Sequence, residues 1–308
     1  MKRIYVYLAA LIFTGVVLTG CKESSVNPVA ESGDSAIIKT VIASDSSTMS
    51  FDSNYDEEGI LQDILGKSSA TIRPIKVARK VTGITRNVST QVINDTAYAT
   101  MTATVTARLI IAASTDADST IDTTITKNYT SELKRNYILV KRNNQNDSTR
   151  WKMIAYSLPS GKTTGSTLTI RKLTATFGNN QTFTLEDPLA YYLTRGWGRW
   201  RDIPQINKNE PVTLQVEVVA PTDDANFVTM TFGADFRGQN RLKKKLDLVS
   251  VSSISPGQYL LVYETQITSH RIAGFFHAVL DVMTEDSVTD DSQPVVSTYW
   301  GFPYIIKL

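Results

Sequence analysis

The chain is predicted to be mainly β: a short helical lead into an α+β unit, then an antiparallel sandwich. Three observations carry this reading. From Ile72 onward Thr and Val dominate, and apolar residues alternate in long runs with the period of a half-buried strand. Beyond residue 167, strand-like runs recur between turn signals at short intervals. Between the two textures lies Pro159-Ser160-Gly161-Lys162-Thr163-Thr164-Gly165-Ser166, a cluster of breaker residues. Two domains are therefore expected, 36–158 and 167–308, joined by a linker at 159–166.

Residues 36–67 are the one region with helical spacing. Ser32 and Asp34 are candidate caps. Ile37, Ile38, Val41 and Ile42 form one face, and Ile60, Leu61, Ile64 and Leu65 repeat the spacing before Gly66. The stretch from Ser50 to Asp56 between them reads as a loop.

The long strands follow. Lys76 to Ile93 and Thr96 to Ala113 are joined by Asn94-Asp95, a pair that tolerates positive φ and suits a tight hairpin. In the second strand Ala97, Ala99, Met101, Ala103, Val105, Ala107 and Leu109 share a face. Thr124 to Arg142 is the third, with Tyr129, Leu133, Tyr137 and Leu139 along one side. Arg150 to Leu158 is the fourth, after a polar tip at 143–149. Leading helices, a few long antiparallel strands, and the ending Tyr137-Ile138-Leu139-Val140-Lys141, polar tip, Arg150-Trp151-Lys152-Met153-Ile154 resemble the NTF2-like (cystatin-like cone) family. The resemblance implies a curved sheet that wraps a helix and leaves a conical pocket. Enzymes of that family line the pocket with Asp, His or Tyr. Residues 36–157 contain no histidine, so that acid–base chemistry is not carried over.

In the C-terminal half Leu168–Phe177, Gln181–Leu185, Val212–Ala220, Phe227–Phe236, Leu246–Ser252, Gln258–Thr268, Phe275–Met283 and Val295–Ile306 read as strands. Short strands at this spacing suggest a β-sandwich. With Pro211-Val212-Thr213-Leu214 opening a strand, the half resembles bacterial immunoglobulin-like domains in architecture, without a Cys-Trp-Cys signature.

The amino terminus has a different character. Lys2 and Arg3 precede an uncharged apolar run from Ile4 to Val17. This is the layout of a signal peptide, and the run is shorter than the roughly 20 residues a membrane span needs. Leu18-Thr19-Gly20-Cys21 ends in the chain's single cysteine and resembles the lipobox of bacterial lipoproteins. That resemblance implies cleavage after residue 20, acylation of Cys21, and attachment of the protein to a bilayer in the bacterial cell envelope. Lys22 in place of Asp leans toward the outer membrane. Cleavage by the ordinary peptidase, leaving Cys21 a free thiol, is the alternative. The leader carries two positive charges and no acidic residue, so the remaining 288 residues hold 30 basic and 30 acidic side chains. A neutral body argues against nucleic acid as a partner. Polar residues 22–35, with Pro28 and Gly33, read with Cys21 as an acylated, flexible tether at 21–35.

No catalytic residue and no cofactor are assigned. His270 and His277 are the only histidines, and seven residues apart they match no zinc spacing. No Gly-x-Ser-x-Gly elbow occurs. Gly161-Lys162-Thr163 lacks the glycine a phosphate loop needs, since position 156 is Tyr156. Asp52, Asn54 and Asp56 half-match a calcium loop. Glu57 stands where that turn needs Gly, and Asp63 where it needs Glu, so a solvated acidic loop is the plainer reading. The sharpest surface candidate is the run from Tyr191 to Asp202. Tyr191, Tyr192, Arg195, Trp197, Arg199, Trp200 and Arg201 have the composition of a partner-binding loop, or of rings plugging the sandwich end under Arg stems. Arg241-Leu242-Lys243-Lys244-Lys245 reads as lysine protection of an edge strand, or as a contact for anionic lipid. The expectation is an envelope lipoprotein without catalysis, a binding or structural module for a protein or a cell-wall polysaccharide. The alternative is a small-ligand carrier or an enzyme using the N-terminal conical pocket.

Overall fold

The computed structural model describes residues 33–45, 55–57, 73–116, 120–142, 150–196, 201–234 and 241–307. The leader, Cys21, most of the tether and the second helical spacing at 60–65 lie outside these residues. The described chain is mainly β, in two largely antiparallel sheets, with two helices. No described helix is long and apolar enough to cross a membrane.

Helix α1 (Gly33–Ser44) buries Ile38 and Ile42, four residues apart, and leans Ile37 and Val41 on the same core. Its first turn is fixed by Asp34. That carboxylate accepts a hydrogen bond from Trp151 Nε1 at 3.0 Å, pairs with Arg150, and lies 3.5 Å from Lys141 Nζ. The Trp151 bond holds the Asp34 pKa below the usual carboxylate value, and the two cations add to it. An acid in the first turn also complements the helix dipole.

Strands β1 (Arg73–Ile93), β2 (Thr96–Ser114) and β3 (Thr123–Lys141) form a long antiparallel meander. The first hairpin turns at Asn94, with φ at 54°, as the Asn-Asp pair predicts. The alternation expected in β2 is present: Ala97, Ala99, Met101, Ala103, Val105, Ala107 and Leu109 are all buried. Strand β4 (Trp151–Ser157) pairs with β3.

The stretch expected as a linker contains β5 (Ser160–Thr163). It pairs with β3 on one side and with the last strand of the chain, β16 (Ser297–Ile306), on the other. The sheet therefore continues through residues 160–163, inside the stretch expected as a linker. Gly161 is needed there for packing, because a Cβ at that position would overlap the Tyr299 ring.

The remaining strands are β6 (Thr169–Phe177), β7 (Thr182–Leu185), β8 (Tyr192–Thr194), β9 (Gln205–Ile206), β10 (Pro211–Ala220), β11 (Asn226–Ala234), β12 (Leu242–Lys245), β13 (Asp247–Ser255), β14 (Gln258–Thr268) and β15 (Gly274–Thr284), with the short helix α2 (Glu285–Thr289) before β16. The first sheet runs β1-β2-β3-β5-β16-β15-β11-β12, with β4 and β8 off β3, and β9 parallel to β16. The second runs β13-β14-β10-β6-β7. Its inner residues, among them Leu173, Val216, Val218 and Leu261, share one core with Met230, Leu280 and Phe302 of the first sheet. The opposite face of the same strands places Phe227, Val279 and Tyr299 in a second core with Ala103 to Ala113 of β2 and Leu133 of β3. β15 and β16 are thus covered on both sides, so their sequence is near-continuously apolar instead of alternating.

The strand order ends at β1 and β12, yet these two edges meet. Lys243 Nζ on β12 donates to the Val77 carbonyl of β1 at 3.2 Å. Glu57 seals the seam. Its backbone N–H donates to the Arg79 carbonyl at 2.7 Å, while its carboxylate accepts from Lys243 Nζ at 2.7 Å and from Thr231 Oγ1 at 2.5 Å. Beside it, Arg79 pairs with Asp281 of β15, and its guanidinium carbon lies 4.5 Å from the centre of the Tyr55 ring. Tyr55 stacks on Tyr299 at 4.3 Å. All four charged side chains are at most 2% exposed. Burial alone would raise the Glu57 pKa, but Lys243 and Arg79 outweigh it and bring the value down to about 2. Burial likewise opposes the charge on Arg79, and Asp281 overrides it.

Lys243 was expected in a solvent-exposed basic run; it is instead buried as the counter-ion of Glu57. Removing one member of such a pair leaves an uncompensated buried charge. Lys243→Met should lower unfolding free energy by about 3–5 kcal/mol in urea denaturation. The double variant Glu57→Gln/Lys243→Met should recover most of that loss. Gly161→Ala should cost about 2 kcal/mol or more, since the buried Tyr299 ring, hydrogen-bonded to Ser131, has no room to retreat; a thermal melt unchanged from wild type would contradict this packing.

Candidate functional site

The run from Tyr191 to Asp202 is rooted in β8, which adds to β4 through Ala155↔Thr194, Tyr156↔Leu193 and Ser157↔Tyr192. Beyond β8 the loop leaves and returns at one point. The Arg201 N–H donates to the Thr194 carbonyl at 2.7 Å, and Thr194 Oγ1 donates to the Asp202 carboxylate at 2.6 Å. Asp202 has φ at 65°, a left-handed conformation that Asp tolerates better than most residues.

The two tyrosines that open the run sit in different surroundings. Tyr191 turns inward. Its ring packs edge-on against Phe183 at 5.7 Å, and its hydroxyl donates to the Asp202 carbonyl at 2.6 Å. Tyr192 instead lines a polar groove together with Tyr98 and Asn136. Arg195 and Arg201 are exposed. Trp197, Arg199 and Trp200 lie outside the described residues. Of the expected partner-binding set, the structure therefore brings Tyr192 to a polar surface and uses Tyr191 to brace the loop.

That surface is an open groove of about 410 Å³ at the hairpin end of β1, β2 and β3. Ser89, Gln91, Tyr98, Thr100, Asn136 and Tyr192 line it. The register sets Ser89 beside Thr100, Thr100 beside Asn136, and Gln91 beside Tyr98. Asn136 is held from several sides. Its Oδ1 accepts from Thr100 Oγ1 at 2.9 Å, its Nδ2 donates to the Leu189 carbonyl at 3.2 Å, and its backbone N–H donates to Ser157 Oγ at 2.8 Å. None of the described lining residues is charged. Tyr98 is 47% exposed. The sequence signal for this site was weak, because Ser89, Thr100 and Asn136 are ordinary outward residues of alternating strands.

Two further regions among the described residues are closely packed. The concave face of β2 and β3 is packed by Ile38, Ile42, Trp151, Tyr55 and Tyr299. The cavity between the two sheets, lined by Phe177, Met230, Phe302 and Tyr304, holds about 40 Å³, far below the roughly 300–1,000 Å³ of ligand sites. His270 borders it and shares a 2.9 Å hydrogen bond with the Tyr304 hydroxyl. His277 is buried; burial first, then Arg135 and Arg241, push its pKa down to about 3. Burial also lowers the His270 pKa, so both imidazoles are neutral at pH 7. Asp56 of the calcium-loop candidate is engaged through its carbonyl, which accepts from Arg241, and Asp52 and Asn54 lie outside the described residues. Among the described residues no cluster of three or more His, Cys, Asp or Glu could hold a metal ion. No family model, curated protein or solved structure matches the chain.

The His277 environment makes a pH prediction. The unfolded imidazole takes up a proton near pH 6.5 and the folded one only near pH 3, so stability present above pH 6.5 is lost as pH falls through that window. At about 1.4 kcal/mol per pKa unit, wild type should lose roughly 3 kcal/mol more than His277→Gln between pH 7 and pH 4. Parallel acid-side slopes for the two proteins in urea denaturation would refute it.

Proposed function

We propose that this protein is a lipid-anchored lipoprotein of the bacterial envelope whose folded body is a non-catalytic binding module. The observation that carries the reading is the run Leu18-Thr19-Gly20-Cys21 at the end of an apolar leader, followed by a short polar stretch ahead of helix α1. The acylated Cys21 holds the chain to the bilayer, and the body meets a protein or polysaccharide partner. The front half, with α1 against a long sheet, corresponds to the NTF2-like unit, and the strands behind it to the immunoglobulin-like sandwich. The aliphatic and aromatic filling of the concave face supports a surface-binding module over a carrier or enzyme that works inside an N-terminal pocket.

Expression of the full chain in a bacterial host with labelled palmitate tests the anchor. Label should enter the wild-type protein, and Cys21→Ala should abolish it and move the protein from the membrane to the soluble fraction. Label that survives Cys21→Ala overturns the reading.

A further inference from the structure

We infer that the groove at the hairpin end of β1–β3 is a binding site for a neutral oligosaccharide chain. The inference narrows the binding reading above to one ligand class and one place. Three features point there together. The groove, at about 410 Å³, has the size of a ligand site, whereas the cavity between the sheets does not. Its described lining offers hydroxyls, amides and phenols without a charge, which suits a polyhydroxylated, uncharged ligand and disfavours phosphate, nucleic acid or a charged peptide. Tyr98 exposes nearly half its surface, and Tyr192 lines the same groove. An aromatic face with a polar tip can stack on the C–H face of a pyranose while its hydroxyl bonds to the ring substituents.

The lining is also pre-arranged. Ser89 Oγ donates to the Thr100 carbonyl at 3.4 Å and Thr100 Oγ1 to Asn136, so the polar row runs across three strands. Adjacent strands lie about 4.8 Å apart, close to the length of one sugar unit, so the row presents donors and acceptors with the repeat of a glycan. Groups already fixed by the sheet lose little freedom when a ligand arrives.

The test is calorimetric titration of the full chain in detergent with chitohexaose and with maltohexaose. Saturable binding of at least one is expected, weakened about tenfold or more in Tyr98→Ala and in Gln91→Ala at unchanged thermal midpoint. Both positions are exposed, so neither variant should unfold the sheet; Tyr98→Phe, which keeps the ring, should retain most of the binding. Absence of binding to both sugars at millimolar concentration overturns the inference, as does binding that both alanine variants leave unchanged. Cys21→Ala titrated alongside should bind the sugar as wild type does. Failure of the palmitate experiment therefore leaves this inference standing, and failure of the titration leaves the anchor standing.

Discussion

The contact between the two ends of the first sheet governs the rest of the fold. An open sheet of this length would expose the backbone of both edge strands. Here β1 and β12 are brought together by one ammonium and one carboxylate. Lys243 reaches the Val77 carbonyl across the seam, and Glu57 ties its own backbone to Arg79 and its carboxylate to Lys243. Two ion pairs at so little exposure gain little net energy, because desolvation offsets most of the attraction. Their contribution is selective. Any other pairing of the edges would bury these charges without partners, so misregistered closures are heavily penalised. Tyr55 and Tyr299 add the apolar part of the seal by stacking beside Arg79.

Closure has a mechanical consequence. Because the sheet curls onto itself, β15 and β16 pack against the second sheet on one face and against β2 and β3 on the other. Strand β5 joins the two halves by backbone pairing on both edges. Lys127 of β3 adds a further tie, donating to the carbonyls of Ser287 at 3.0 Å and Gln293 at 3.1 Å, and to that of Asp290, around α2. Motion of one half against the other would break these pairings and tear both cores, so the groove at the far end of β1–β3 sits on a stiff support.

Much of this was legible where local pattern and tertiary demand agree. The alternation of Ala97 to Leu109, the Asn94 turn and the strand intervals of the second half all follow from period-two burial and turn chemistry. What escaped was set by distant partners. Gly161 reads as a breaker, yet it sits in a strand because Tyr299, more than a hundred residues away, occupies the space of its Cβ. Lys243 reads as an exposed lysine in a basic run, and nothing local reveals that Glu57 waits for it. Asp34 reads as a helix cap, while its carboxylate serves Trp151 and Arg150. The aromatic run stands out by composition, but composition does not tell that Tyr191 packs on Phe183 while Tyr192 lines the groove.

Helix α1 supports the strand that forms one wall of the groove. Ser35 Oγ of α1 and Thr90 Oγ1 of β1 share a 2.8 Å hydrogen bond, and Thr90 is itself a lining residue. Thr90 points to the face opposite Ser89 and Gln91, so α1 braces the sheet behind the polar row. The row from Ser89 through Thr100 to Asn136 runs across the strands, so a chain that follows it crosses β1, β2 and β3 in turn.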